Sequence, residues 1–258
     1  MTCWSPCSKC RCLNSFATAR LVLPVCNERH LVEEVSQSLE EACRRDPGLR
    51  VVVVDDGSRD GTGEAFKQRL TSLKNAEVKI LPKNGGKGAA VRHGFEGATE
   101  DQLMFMDGDL AYSIDHLATL RRALEQHDVV IGSRSMAPQA QGGLPARRAF
   151  LGWGFNRLAC FLLGIDYPDT QAGLKGFQRK AAQRLFTRQR LADFAFDVEL
   201  LYLCRKLGLG VGQIPAQVGS RHTYKTSRVK LCCDSFRALK DLFLIRWWAW
   251  MGAYRLHE

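Results

Sequence analysis

The chain has 258 residues, 45% of them hydrophobic and 25% charged, a composition that excludes disordered, collagenous and fibrous proteins. The length fits one large α/β domain or two small ones, and the lack of any uncharged apolar run of about 20 residues argues against a transmembrane helix within it. Thirty-seven Lys and Arg against 27 Asp and Glu give a formal charge of +10, which points to a phosphate-bearing ligand, an anionic membrane or nucleic acid without choosing among them.

Residues 1–19 read as a cysteine-rich tail. Cys3, Cys7, Cys10 and Cys12 lack the second pair of ligands that a zinc site needs. From Arg20 the pattern changes to short apolar runs alternating with amphipathic segments. Leu21-Val22-Leu23 is a first strand, and a helix follows over about Glu28 to Arg45. Val51 to Val54 is a β-branched run suited to a strand buried on both faces. It ends in a turn at Asp55-Asp56-Gly57-Ser58 and leads to a second helix reaching about Leu73. Val78 to Leu81 is a third strand, Ala89 to Ala98 a third helix, Leu103 to Met106 a fourth strand and Val129 to Ile131 a fifth. Repeated β-α units at this spacing predict a parallel sheet flanked by helices, whose ligands bind at the carboxyl ends of the strands. Residues 135–148 read as a mobile loop. Beyond them lie a helix from Phe150 to Ile165, another from Ala195 to Leu207, a strand from Val211 to Val218 and a basic, aromatic C-terminal stretch. Cys26, Cys43, Cys160 and Cys204 stand singly in apolar contexts, as buried free thiols in a reducing compartment do.

The polar clusters fall at the strand ends. Asp107-Gly108-Asp109 follows the fourth strand, where two carboxylates one residue apart suit a hard divalent cation. Asp55 and Asp56 would accept hydrogen bonds from a base N–H or ribose hydroxyls, while Asp60 or Thr62 caps the next helix. Asn84-Gly85-Gly86-Lys87-Gly88 opens the third helix; its backbone N–H groups would be free for an anion, with Lys87 adding charge. With Asn27-Glu28 at the first strand end, the set suits a nucleoside diphosphate beside a metal. His93 and His116 fall in predicted helices and do not cluster as ligands.

In combination, Pro24-Val25-Cys26-Asn27-Glu28, the Asp55–Thr62 run, the Asn84–Gly88 turn and Asp107-Gly108-Asp109 resemble the family 2 glycosyltransferases of the GT-A fold. The second half narrows the likeness. Gly132-Ser133-Arg134, Arg147-Arg148, Asp169 to Phe177 and Ala195 to Leu201 resemble the polyprenyl-phosphate glycosyltransferases, and among them the dolichyl-phosphate β-glucosyltransferases. The chain departs from that pattern at Gly108, where alanine is frequent, at Ala172, where cysteine is usual, and at Thr226-Ser227-Arg228, where Gly-Ser-Lys is usual. Eukaryotic glucosyl relatives usually begin with a membrane helix, whereas this chain carries the cysteine-rich residues.

The resemblance implies an α/β GT-A domain over 20–225, with a mostly parallel sheet, and a membrane-surface segment over 226–258. It implies metal-dependent, inverting transfer of a hexose, glucose from UDP-glucose first, to a polyprenyl or dolichyl phosphate. Mannosyl transfer from GDP-mannose and transfer to a saccharide hydroxyl are the alternatives. Mg²⁺ or Mn²⁺ would sit on Asp107 and Asp109. Pro24, Val25, Asn27, Glu28, Asp55, Asp56, Lys87, Asp107 and Gly108 would line the nucleotide-sugar pocket. Arg134, Arg147 and Arg148 would hold the lipid phosphate, and Asp109, Asp169 and Arg134 would stand at the reaction centre. A phosphate acceptor is already ionised near neutral pH and needs cations rather than a general base. Nucleic acid is not an expected partner, because the basic residues form no known reader motif and the acidic strand ends repel phosphate. Phe150 to Ile165 and Phe236 to Tyr254 combine basic and aromatic side chains, which predicts peripheral attachment at the cytosolic face of a membrane, chiefly through the C-terminal segment. That membrane would be the endoplasmic reticulum in a eukaryote and the inner membrane in a bacterium.

Overall fold

The computed structural model describes residues 17–137, 146–217 and 231–255, without the side chains of 146–151 and 231–236. Cys3, Cys7, Cys10 and Cys12, and the Thr226–Arg228 segment, lie outside that set. The elements run β1 (Ala19–Val25), α1 (Val32–Arg45), β2 (Leu49–Asp55), α2 (Thr62–Arg69), β3 (Ala76–Ile80), α3 (Lys87–Phe95), β4 (Gln102–Met106), α4 (His116–Ala123), β5 (Val129–Ser133), α5 (Ala146–Leu163), β6 (Leu174–Gln178), α6 (Arg179–Phe186), α7 (Phe196–Leu207), β7 (Val211–Pro215) and α8 (Leu231–Trp250).

One seven-stranded sheet has the order β3-β2-β1-β4-β6-β5-β7. β1 pairs in parallel with β2 and β4, β2 with β3, and β5 with β7. β6 is antiparallel to both neighbours, with Met106 opposite Leu174. The sheet is mostly parallel, as expected; its one antiparallel strand is β6, which separates β4 from β5. The chain winds outward from β1 through β2 and β3, then returns to place β4 on the other side of β1. That reversal is a topological switch point, where open α/β sheets bind ligands. Because β6 runs backward, its amino end arrives at the same edge as the carboxyl ends of the other six strands.

Residues of alternate parity in each strand point to opposite faces, and two cores result. Val22, Val52, Val54, Phe105, Ile131 and Phe177 meet α3, α6, α7 and the inner sides of α5 and α8. Leu21, Leu23, Val51, Val53, Met104 and Met106 meet α1, α2 and α4. Val51 to Val54 are fully buried, as their continuous β-branched run requires. β3 is an edge strand and stays half-exposed. Arg20, a charge inside a buried strand, is accommodated by a fork onto Glu100 at 3.0 and 3.1 Å.

The C-terminal stretch is not only a surface segment. Leu242, Ile245 and Tyr254 are buried in the core. Cys26, Cys43, Cys160 and Cys204 are free thiols, half-buried except Cys204, which is buried and whose pKa burial pushes up to about 12.

Phe177 sits at the centre of an aromatic cluster. Its ring lies 6.2 Å from Phe95, 6.1 Å from Phe105 and 5.4 Å from Phe186. Phe177→Ala should therefore destabilise the fold by about 3–5 kcal/mol, read as a lowered urea midpoint with unchanged slope.

Candidate active site at the carboxyl edge of the sheet

Two loops at the switch point are laced together by polar side chains. Asn27 follows β1 with a φ of 51°, a left-handed conformation that asparagine tolerates better than most residues. Its N–H donates to Ser58 Oγ at 2.7 Å, and its Oδ1 accepts from Arg59 N at 2.8 Å. Glu28 N donates to Thr62 Oγ1 at 2.9 Å. Asp60 Oδ1 accepts from Thr62 N at 3.0 Å; the N-cap position of α2 is Gly61, without a side-chain cap, so neither Asp60 nor Thr62 is the expected cap residue.

Asp55 and Asp56 end β2 and are buried. Asp55 accepts from Ser58 N at 3.1 Å and from the Ser58 hydroxyl. Asp56 accepts from Gly85 N at 2.7 Å and from Gly86 N at 2.9 Å. This corrects the expectation that the glycine turn leaves those N–H groups for a phosphate. The anion they bind is a side chain of the protein, so Asp56 clamps the turn to the end of β2. The clamp needs glycines on both sides: a Cβ at Gly57 would collide with the backbone of Lys83 and Asn84, and Gly86 has a φ of 94°.

Lys87 does not face open solvent. Its Nζ lies 2.8 Å from Asp107 Oδ1 and 3.2 Å from Asp197 Oδ2. Burial works against the charge on Lys87, but the two carboxylates reverse that effect and raise its pKa. Asp107 follows β4, and its N–H donates to Gly173 O at 3.0 Å. A Cβ at Gly173 would collide with the Asp107 carboxylate, and one at Gly108 would collide with Pro24 O. Both glycines are thus demanded by close packing, and Gly108 brings the Asp107–Asp109 loop against Pro24 and Val25. Asp109 Oδ1 accepts from Ala111 N at 3.0 Å, and Leu110 between them has a φ of 51°. A leucine in that region is strained, as residues at functional loops often are.

Arg134, in a single 3₁₀ turn after β5, forks onto Asp169, with Nε 2.7 Å from Oδ2 and Nη2 2.8 Å from Oδ1. Burial alone would raise the Asp169 pKa; the hydrogen bonds and charge of Arg134 instead hold it below the ordinary carboxylate value. Tyr112 was not anticipated from the sequence. It is buried, its hydroxyl oxygen accepts from Gly173 N at 3.3 Å, and burial pushes its pKa up to about 12. Arg134, Asp169 and Asp107 all act electrostatically on this hydroxyl, so Tyr112 marks the point where the two halves of the site meet. An isolated tyrosine after a turn carries no periodic or spacing signal. Arg147 and Arg148 belong by their backbone to the first turn of α5; their side chains lie outside the described residues. A shallow cavity of about 570 Å³ elsewhere, bordered by Glu40, Arg44, Arg69 and Lys74, holds none of these groups.

The donor set is consistent with a hard divalent cation. Asp107 and Asp109 offer oxygen only, and among the described residues no group of three or more His, Cys, Asp or Glu could hold a metal alone. Mg²⁺ in particular is commonly held by one or two carboxylates plus substrate phosphates.

Residues 21–186 match the family described as Glycosyl transferase family 2. The chain belongs to that family and is a glycosyltransferase. It is similar to the dolichyl-phosphate β-glucosyltransferase of Homo sapiens, 32% identical over 255 residues covering 92% of this chain and 78% of the relative. The enzyme of that name from Drosophila melanogaster is 30% identical over 256 residues, covering 92% and 76%. Among solved structures, glucosyl-3-phosphoglycerate synthase from Mycobacterium tuberculosis in complex with Mg²⁺ and UDP superposes with a TM-score of 0.66 at 20% identity, covering 89% of this chain and 79% of the other. Mannosyl-3-phosphoglycerate synthase from Rubrobacter xylanophilus gives 0.65 at 19% identity, covering 94% and 76%. At that identity the structural likeness establishes the GT-A fold.

Gly173→Ala tests the close packing behind Asp107. The added methyl must displace the carboxylate, and a displacement near 1 Å at a reacting centre costs about 100-fold in turnover. The thermal midpoint should fall as well, because Gly173 is buried and moving Asp107 strains its pairing with Lys87, so turnover is compared at a temperature where the variant is folded. Full activity in this variant would show that the position of Asp107 is unimportant.

Proposed function

We propose that the chain transfers glucose from UDP-glucose to dolichyl phosphate or a related polyprenyl phosphate, with inversion, at a membrane surface. The carrying observation is the state of Asp169. A saccharide hydroxyl loses a proton on attack and needs a general base. Asp169 is forked by Arg134 and held below its ordinary pKa, which makes it a poor base. A lipid phosphate needs none. The curated relatives carry the same acceptor in their names.

In this reading Asp55, Asp56, Asn27 and Glu28 shape the nucleoside side of the pocket with Pro24 and Val25. Asp107 and Asp109 would hold Mg²⁺ or Mn²⁺, which when bound supplies positive charge against the diphosphate leaving group. Asp169 fixes the plane of the Arg134 guanidinium. Two of its five N–H donors go to Asp169, which leaves three to meet the acceptor phosphate. Arg147 and Arg148 would add charge from the start of α5. The sugar lies between the two groups, near Asp169 and Tyr112.

Among the described residues no helix is long and apolar enough to cross a membrane. α5 and α8 pack against each other. Both expose aromatic side chains: Trp153 and Phe161 on α5, and Phe243, Trp247 and Trp250 on α8, with Phe161 82% and Trp250 78% exposed. Arg157, Lys240 and Arg246 are exposed beside them. Aromatic residues with basic neighbours suit the interface of an anionic bilayer, and the reading places this face on the cytosolic leaflet. It assigns attachment to both helices rather than to the C-terminal one alone. Truncation before α8 would remove core residues, so substitutions on the outer face are the proper probe.

Asp109→Asn should lower glucose transfer to dolichyl phosphate by at least about 100-fold, measured with UDP-glucose and Mn²⁺. A donor panel including GDP-mannose checks the sugar: preferred use of GDP-mannose would overturn the glucosyl assignment. Arg134→Ala should raise the KM for lipid phosphate more than that for UDP-glucose. If only donor affinity suffers, Arg134 belongs to the donor pocket.

Trp247→Ser with Trp250→Ser should weaken binding to anionic vesicles at least about tenfold, since burying one large apolar side chain is worth about 1.5–3 kcal/mol. Nucleotide binding should persist. Unchanged co-sedimentation would place the contact elsewhere.

A further inference from the structure

Behind the Asp107–Asp109 loop lies a row of charges whose inner members, Asp197 and Lys175, have no part in the transfer step proposed above. Lys175, on β6, is fully buried. Its Nζ donates to Ala172 O at 2.6 Å and to Asp197 Oδ1 at 2.6 Å. Asp197, in the first turn of α7, is also buried, and its other oxygen lies 3.2 Å from Lys87 Nζ. Lys87 in turn lies 2.8 Å from Asp107 Oδ1. The order inward from the loop is thus carboxylate, ammonium, carboxylate, ammonium. Aromatic rings enclose it: Phe105 and Phe196 stand 5.4 and 5.5 Å from Lys87 Nζ, and Phe105 stands 5.6 Å from Lys175 Nζ. Charges screened from water by such walls act strongly on one another.

Lys87 serves two carboxylates at once. Whatever attraction Asp197 exerts on the ammonium reduces its hold on Asp107. Without Asp197 the full charge of Lys87 would fall on Asp107 and compete with any cation for its oxygens. We propose that Asp197 is a positioning residue that sets the affinity of Asp107 for a divalent cation by sharing the Lys87 ammonium with it, with Lys175 fixing Asp197 in place. The proposal rests on the assignment of the cation to Asp107 and Asp109 made above.

The test is direct Mn²⁺ binding by the full chain with saturating UDP, followed by the electron paramagnetic resonance signal of free Mn²⁺. Asp197→Asn should weaken Mn²⁺ about tenfold, the scale of effect of groups that orient metal ligands. Combining it with Lys87→Met removes both the competitor and its restraint, and should bring Mn²⁺ affinity back to within about twofold of the wild type. A purely structural role for Asp197 predicts the opposite, a double variant as weak as the single one or weaker, and that result would overturn the proposal. Asp197→Glu keeps the charge and should retain near-wild-type Mn²⁺ affinity even with a lowered thermal midpoint. A loss equal to that of the asparagine variant would also overturn it. Failure of the wild type itself to take up Mn²⁺ would reject the cation assignment first, and the proposal with it.

Discussion

The carboxyl edge of the sheet depends on burying two ammonium groups, Lys87 and Lys175, against the carboxylates of Asp107 and Asp197. Removing one partner of a buried pair costs about 3–5 kcal/mol, because the other charge is left without compensation. Four elements must therefore arrive together: the start of α3, the loop after β4, the strand β6 and the first turn of α7. Burial acts against both lysines, yet the outcomes differ. Asp107 and Asp197 lift the Lys87 pKa above its ordinary value. For Lys175 burial prevails, aided by the neighbouring Lys87 charge, and its pKa falls in spite of Asp197.

The antiparallel β6 is what allows this arrangement. A parallel strand in its place would carry Gly173 and Lys175 to the far edge of the sheet. Its reversed direction puts Gly173 against Asp107, Lys175 beneath Asp197, and the preceding Asp169 within reach of Arg134 at the end of β5. Sequence periodicity could not show it. Leu174 to Gln178 is a five-residue stretch of mixed character, with a buried lysine at Lys175, and reads as neither alternating nor continuously apolar. The motif containing it was recognisable only as a resemblance.

Elsewhere the legible elements were those whose burial leaves a pattern. Val51 to Val54, Leu103 to Met106 and Val129 to Ile131 are strands because both faces of the sheet are covered, and α7 begins within one residue of its expected start. Boundaries shifted where backbone chemistry decided them. The first helix is preceded by a 3₁₀ turn at Arg29–Leu31, and α3 begins at Lys87 rather than Ala89, since Gly86 and Asp56 organise the turn before it. The site residues were legible as chemistry at strand ends, and their partners were not. Nothing in the spacing of Asp56 and Gly85, or of Lys87 and Asp197, announces a contact between residues 29 and 110 positions apart. Intramolecular pairing also altered the meaning of the charges. Part of the excess of basic residues faces buried carboxylates rather than a ligand.

The same logic connects the glycine turn to the C-terminal helix. Ala89 N donates to Ala192 O at 3.1 Å, so the 188–195 loop covers the start of α3. That loop is held from below by Glu199, which accepts from Arg190 N and Leu191 N. Glu199 also accepts from the Tyr254 hydroxyl at 2.8 Å. Arg190 reaches Ala253 O at 2.9 Å and lies over the Trp248 ring, and Arg188 reaches Tyr254 O at 3.2 Å. The turn that ends α8 is therefore fastened to the loop that borders Lys87. In the proposed function, a helix resting its outer face on a bilayer would hold the cation-binding edge at a fixed height above the lipid. A lipid-phosphate acceptor, confined to the headgroup layer by its tail, would need that height to be constant. In that reading one helix supplies both the rigidity and the contact: Leu242 and Ile245 lie inward on the helix that presents Trp247 and Trp250 outward.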